Sequence, residues 1–180
     1  MKKLIKDLKK KRSKAQFKVF ELYSDYLCKV AYRYLKETHL VEDVVSQTFL
    51  NIFEKIDSTN IEEEGAFKAW ARKITINQSL MEIRRHVRFQ DNISLIDHIE
   101  ESPIRTDQHL HEQDIVKMVL RLPDGYRTIF NLYVIEGYTH KEIGEMLSIS
   151  EGTSKSQLSK ARNLLKTYIQ QNEDDYAAIR

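Results

Sequence analysis

The chain is poor in the residues that interrupt helices, with five glycines and two prolines among 180 residues. An all-β chain built on many tight turns, or a Gly-rich nucleotide-binding α/β fold, would need more of both. A single cysteine, Cys28, excludes an intrachain disulfide and a cysteine-rich zinc site. No stretch approaches the ~18 consecutive apolar residues of a membrane span. The start, MKKLIKDLKKKRSK, is basic but lacks the apolar core of a secretory signal, so a cytoplasmic protein is expected. No nucleophile motif, Gly-rich phosphate loop or HExxH pattern occurs. His109 and His111 stand near Asp107 and Glu112, but no second cluster completes a tetrahedral set. No catalytic residue, metal or cofactor is therefore expected, and no small-molecule substrate. Cys28 is expected to be packed.

The chain is instead charged, at 31% Asp, Glu, Lys and Arg, and the charge is laid out in blocks. Residues 2–14 carry eight Lys/Arg against Asp7. Residues 68–88 carry six against Glu82, whereas residues 91–115 carry seven acids against Arg105. The net charge of +2 hides this alternation. Two basic segments could each meet phosphate, and the acidic stretch between them would be repelled by DNA and reads as a linker.

Apolar residues recur at helical spacing on both sides of that linker. Phe17, Phe20, Leu27, Val30, Ala31 and Tyr34 form one stripe. Val41, Val44, Val45, Thr48, Phe49, Ile52, Phe53 and Ile56 form a second, leaving Glu42, Asp43, Gln47 and Glu54 opposite. Residues 57–65, DSTNIEEEG, read as a loop. A third helix is expected from Gly65–Ala66 to about His86, with Phe67, Trp70, Ala71, Ile74, Asn77 or Gln78, and Met81 inward. Three such helices can enclose one small core. Residues 89–109 contain Pro103 and show no sustained period. A structureless connection of that length separates domains more readily than it sits inside one.

The pattern restarts at Leu110–Arg121, turns at LPDGY, and continues with Ile129, Phe130, Tyr133 and Val134 inward and Gly137 as a C-cap. Thr139 and Glu142 have capping-box spacing. SIS at 148–150 reads as a short turn, and Ser150 as the cap of a last helix from Glu151 with Leu158, Ala161, Leu164, Leu165 and Tyr168 inward. The segment THKEIGEMLSISEGTSKSQLSKAR thus has helix-turn-helix geometry. Ile143 and Leu147 face the core, Gly144 is small at a close approach, and Ile149 fills the turn. Lys155, Ser156, Ser159 and Lys160 are left outward, the basic and short polar side chains that read base edges and phosphates in a major groove. Ser148 and Ser154 stand where such motifs usually carry a glycine and an apolar residue.

VEDVVSQTFLNIFEKI, FKAWARKITINQSLMEIRR and the LPDGY…SKAR segment occur in one order and spacing. Over about residues 15–168 the chain resembles sigma-70 family RNA polymerase sigma factors of the extracytoplasmic-function (ECF) group. The resemblance implies an all-α chain of two small helical domains, region two and region four, joined by a flexible linker. The implied layout is a basic arm at 1–14, region two at 15–88, the linker at 89–109, region four at 110–170 and a polar tail at 171–180. It implies as partners core RNA polymerase, promoter DNA and an anti-sigma factor, the last often membrane-bound.

Carried over residue by residue, Glu42, Asp43, Gln47 and Asn51 are the implied core-polymerase contacts. Arg72, Lys73, Asn77, Arg84 and Arg85 are the implied contacts to the -10 element, with Asn77 at a melted base and the arginines and lysine on phosphates. Lys155, Ser156, Ser159 and Lys160 are those to the -35 element. The loop 57–65 matches the place where the family holds a flipped base, although Glu62–Glu64 are unusual beside DNA. Met81 departs from a common aspartate. The acidic linker would mimic nucleic-acid charge in a basic polymerase channel. The basic residues 2–14 could pair with upstream DNA or a membrane surface, or act as a disordered solubilising arm.

Two other classes compete. A one-component helix-turn-helix regulator would bind a palindrome as a dimer without polymerase, but has no use for the basic segment around Trp70, Asn77 and Arg85. An enzyme acting on nucleic acid would need carboxylate or histidine clusters that the chain lacks.

Overall fold

Helices form wherever apolar residues recur every three to four positions without glycine or proline between them. In the computed structural model, residues 1–91 and 112–178 are described, with side chains over 1–85 and 115–171. Among the described residues there are eight α-helices and no strand. The chain divides into two compact units, Met1–Leu95 and Ile96–Arg180.

The first unit contains α1 (Lys2–Lys9), α2 (Ser13–Tyr32), α3 (Thr38–Lys55), a 3-10 turn (Ile56–Ser58) and α4 (Glu64–Asp91). α2, α3 and α4 pack on one another around Leu27, Ala31, Ile52, Ile56, Phe67 and Ala71, all essentially inaccessible. The α3 stripe is as expected, except that Phe53 is half-buried at its edge.

On α2 the buried row is Ala15, Val19, Tyr23, Leu27, Val30 and Ala31. Phe17 and Phe20, expected inward, are exposed. Phe17 lies two residues off that row, about 200° round the helix, and Phe20 sits at its edge with its ring 4.9 Å from Phe49.

α4 is also rotated from expectation. Its buried positions are Phe67, Ala71, Thr75, Ile76, Ser79 and Leu80, whereas Met81 is 58% exposed and Trp70 and Ile74 are half-buried. Thr75 and Ser79 can be buried because their hydroxyls donate to the carbonyls of Ala71 (3.0 Å) and Thr75 (2.9 Å). The helix continues past His86 to Asp91, since neither glycine nor proline occurs between 66 and 102.

The N-terminal residues are not a free arm. Residues 2–9 form α1, which buries Ile5 and Leu8. The expected linker lies outside the described residues, apart from 89–91, which belong to α4. His109 and His111 lie outside them as well.

The second unit contains α5 (Glu112–Arg121), α6 (Asp124–Phe130), a π-helical segment (Asn131–Ile135), α7 (His140–Leu147) and α8 (Glu151–Ala178). The expected turn at LPDGY shortens to Leu122–Pro123, because Asp124 already begins α6. Thr128, Ile129, Asn131 and Leu132 are buried, whereas Val134 is 45% exposed and Tyr133 half-exposed. The π turn resets the register there, with Glu136 N–H donating to the Asn131 carbonyl at 2.9 Å. Arg127 is 2% exposed and is held by Asp124 at 2.8 Å and the Leu122 carbonyl at 3.0 Å. Burial draws its guanidinium pKa down, and Asp124 counteracts this. Residues 171–178, expected as a tail, continue α8, which has no glycine or proline after Gly152.

Candidate nucleic-acid interface

The helix-turn-helix of the second unit is fixed at each corner by local chemistry. Gly137 adopts φ +78°, which a side chain would resist. At the start of α7, Thr139 Oγ1 accepts from Glu142 N–H while the Glu142 carboxylate accepts from Thr139 N–H, the reciprocal box its spacing predicts. Ser148 ends α7 in the left-handed region at φ +58°, ψ +42°. Ser150 Oγ accepts from Thr153 N–H at 2.9 Å and so caps α8. Gly144 is buried. A Cβ there would lie 2.8 Å from the Ile149 carbonyl oxygen, so the close approach is to the turn's backbone rather than to the facing helix.

The two departures from the usual motif have different physical accounts. Ser148 takes the glycine-like conformation with a side chain, at a backbone cost of ~1–2 kcal/mol. Ser154 is wholly buried, and its hydroxyl shares a 2.9 Å hydrogen bond with His140 Nδ1. The His140 ring in turn stacks on Tyr133 at 4.3 Å. A polar pair thus fills the space that an apolar side chain usually takes.

This frame leaves Lys155, Ser156, Ser159 and Lys160 on the exposed side of α8, with Leu158 and Ala161 buried behind them. Asn163 extends the face at i+4 from Ser159 and is exposed. Sequence reasoning passed over it, although its spacing of 155, 159, 163 carried the signal. Lys155 pairs with Glu151 at 2.5 Å. The lysine holds the Glu151 carboxyl below its usual range. Both are exposed, so the pair contributes little to stability.

In the first unit, Lys73, Asn77 and Arg84 share one exposed stripe of α4 with Ala66, Ala69 and Met81. Arg72 lies about 100° away and is half-buried. Arg85 is exposed beside the stripe and pairs with Glu82 at 3.1 Å. On α3, Asp43 and Gln47 are exposed together with Leu50 and Glu54 along one stripe. Glu42 is exposed beside them, and Asn51 is half-buried at the edge. Leu50, 61% exposed, was missed because its letter assigns it to a core. The signal was its position, seven residues after Asp43 and off the apolar row.

Two helical units, one carrying a helix-turn-helix and one a basic exposed helix, are matched by family models in the same order. Residues 19–89 match Sigma-70 region 2 and residues 112–165 match Sigma-70, region 4, together more than half of the chain. The chain belongs to the sigma-70 family of RNA polymerase sigma factors. Its curated relatives place it in the ECF group. It is 28% identical to the ECF RNA polymerase sigma factor SigW of Bacillus subtilis, covering 94% of this chain and 96% of that one. It is 29% identical to SigM of the same organism, covering 86% and 97%. Among solved structures, the sigma factor RpoE in complex with the anti-sigma factor NepR from Bartonella quintana is similar in fold. Its TM-score is 0.52 at 23% identity, covering 85% of this chain and 95% of that one. The ECF sigma factor is thus a promoter-specificity subunit of RNA polymerase, and the one-component regulator is set aside.

Proposed function

We propose that the exposed stripes of α3, α4 and α8 divide the work of transcription initiation. Asp43 and Gln47, with Glu42, Asn51 and the apolar Leu50, dock the first unit on core polymerase. Lys73, Asn77 and Arg84 follow the opened -10 strand, flanked by Arg72 and Arg85. Lys155, Ser156, Ser159 and Lys160 read the -35 element in a major groove. Residues 15–88 then act as region two and 110–170 as region four. The observation that carries this assignment is that Asn77 is exposed between Lys73 and Arg84, although a simple apolar count would bury it. An amide there can donate and accept at a base edge while the flanking cations hold phosphate.

Opening the duplex needs no active site in this chain. Unstacking costs a few kcal/mol per step, and a protein surface that stacks or hydrogen-bonds extruded bases offsets ~1–3 kcal/mol per base. The polymerase supplies the nucleotidyl chemistry, and the chain acts without enzymatic activity of its own, in the cytoplasm. Among the described residues no helix is long and apolar enough to cross a membrane. A protein of this kind is held inactive by an anti-sigma factor, in line with the complex formed by its structural relative.

Asn77→Ala tests the central residue. With core polymerase, permanganate reactivity at the -10 element of a duplex promoter should fall about tenfold, as expected for losing a paired base contact of ~1–3 kcal/mol. A pre-melted bubble should restore transcription. Failure of the bubble to restore it would remove Asn77 from strand opening.

A further inference from the structure

Residues 2–14 carry eight Lys/Arg against Asp7, and the loop before α4 carries Asp57 and Glu62–Glu64 without a basic residue. Either run alone would be a solvated face. The fold brings them together. α1 packs against the 3-10 turn. Lys9 Nζ donates to the Thr59 carbonyl at 2.7 Å, partly buried. Lys2 pairs with Glu63 at 2.6 Å and Lys11 with Asp57 at 3.3 Å. The hydrogen bond from Lys2 to Glu63 raises the lysine pKa. Thr59 closes the loop, its hydroxyl donating to the Ile56 carbonyl at 2.8 Å and accepting from Ile61 N–H at 3.4 Å. From the other side, the Tyr23 hydroxyl donates to Glu64 at 3.2 Å.

α1 is anchored well enough to act on the loop. Ile5 and Leu8 are 2% and 1% exposed. Its link to α2 passes through Lys11 at φ +55°, a conformation that side chains rarely adopt. Arg12 Nη1 binds Asp7 at 2.8 Å across that turn. The pairs Lys2–Glu63 and Lys11–Asp57 are largely exposed, and such pairs contribute little to stability. Their effect is on the local field. Unpaired carboxylates would repel a DNA backbone within the ~8–10 Å over which salt screens charge.

We infer that α1 is a positioning element for the 57–63 loop, fixing its backbone and pairing two of its three carboxylates, Asp57 and Glu63, so that this end of α4 accepts a single DNA strand. The inference rests on the proposed role of α4. By helical rise, Lys73 and Asn77 lie ~14 and ~20 Å along α4 from Glu64, within reach of one extended strand. Of the three glutamates that argued against a DNA surface, Glu63 is paired with Lys2 and Glu64 accepts from the Tyr23 hydroxyl.

The test uses the full chain with core polymerase and a duplex promoter that the wild type opens. Lys9→Met should lower permanganate reactivity at the -10 element on the order of fivefold, the effect of one net hydrogen bond. Lys9→Arg should restore it. Lys2→Glu should also lower opening, less so as salt rises from about 50 to 200 mM. Adding Glu63→Lys to Lys2→Glu should recover most of the loss. Core affinity should be unchanged in every variant. Wild-type opening by both Lys9→Met and Lys2→Glu would overturn the inference alone. A parallel loss of core affinity would overturn it too, because α1 would then support the whole unit rather than the loop. If the wild type opened no promoter, the proposed function would fall and the inference with it.

Discussion

Tyr23 is 5% exposed, edge-on to Phe67 at 5.1 Å, with its hydroxyl on Glu64. Burial foremost, and then the Glu64 charge, push its pKa from 10.0 up to about 12. The folded state therefore favours the neutral phenol. That contribution is complete below pH ~10, where the unfolded tyrosine is also neutral, and is lost as pH rises from ~10 to ~12. Urea denaturation across this window should show the wild type losing about 1–2 kcal/mol more than Tyr23→Phe. Parallel pH profiles would remove Tyr23 as the cause. Cys28 is governed by similar forces. Burial, then Asp25 and Glu42, raise its thiol pKa, which keeps the reactive thiolate scarce.

Individual residues were the least legible scale. The outward positions of Asp43, Gln47, Lys155 and Lys160 follow from periodicity alone. Leu50 and Asn163 were legible only by position, off the apolar row of α3 and on the 155, 159 row of α8, and not by residue type. Ser154 is polar by letter and wholly buried in fact, since His140 supplies its partner from fourteen residues away.

At the scale of elements, patterning located the helices better than it oriented them. α3 was legible because its row is almost purely apolar. α4 was misread by rotation because Thr75 and Ser79 complete its buried row, and an apolar count skips hydroxyls that bond their own helix. The segment after α6 was misread because a π turn shifts register, which no 3.6-residue period represents. The caps of α7 and α8 were legible because Thr139, Glu142 and Ser150 act on backbone groups three residues away.

Two predictions belong at this scale. Gly144→Ala places a Cβ against the Ile149 carbonyl and should cost about 1–3 kcal/mol, read as a lower melting temperature. An unchanged melt would mean that the turn can widen. Lys155→Ala with Lys160→Ala should weaken binding to -35 DNA about tenfold or more and flatten its salt dependence. Equal loss of core binding would contradict their assignment.

For the molecule as a whole, the alternation of charge is the organising feature. Each unit presents a basic exposed surface, on α4 in one and on α8 in the other, while an acidic stretch runs between them in sequence. The helix-turn-helix alone describes a DNA-binding protein. The match of the first unit to region 2, followed by that of the second to region 4, is what distinguishes a polymerase subunit. The packing of residues 2–14 was not legible in the sequence, because the acids that α1 meets lie about fifty residues later.

The most direct measurement is run-off transcription with core polymerase from the native host, this protein, and a library of genomic promoter fragments. Transcripts that appear only when the protein is present, sharing one -35 and one -10 motif, are the predicted result. No such transcript, with no co-elution of the protein with core polymerase, would contradict the account.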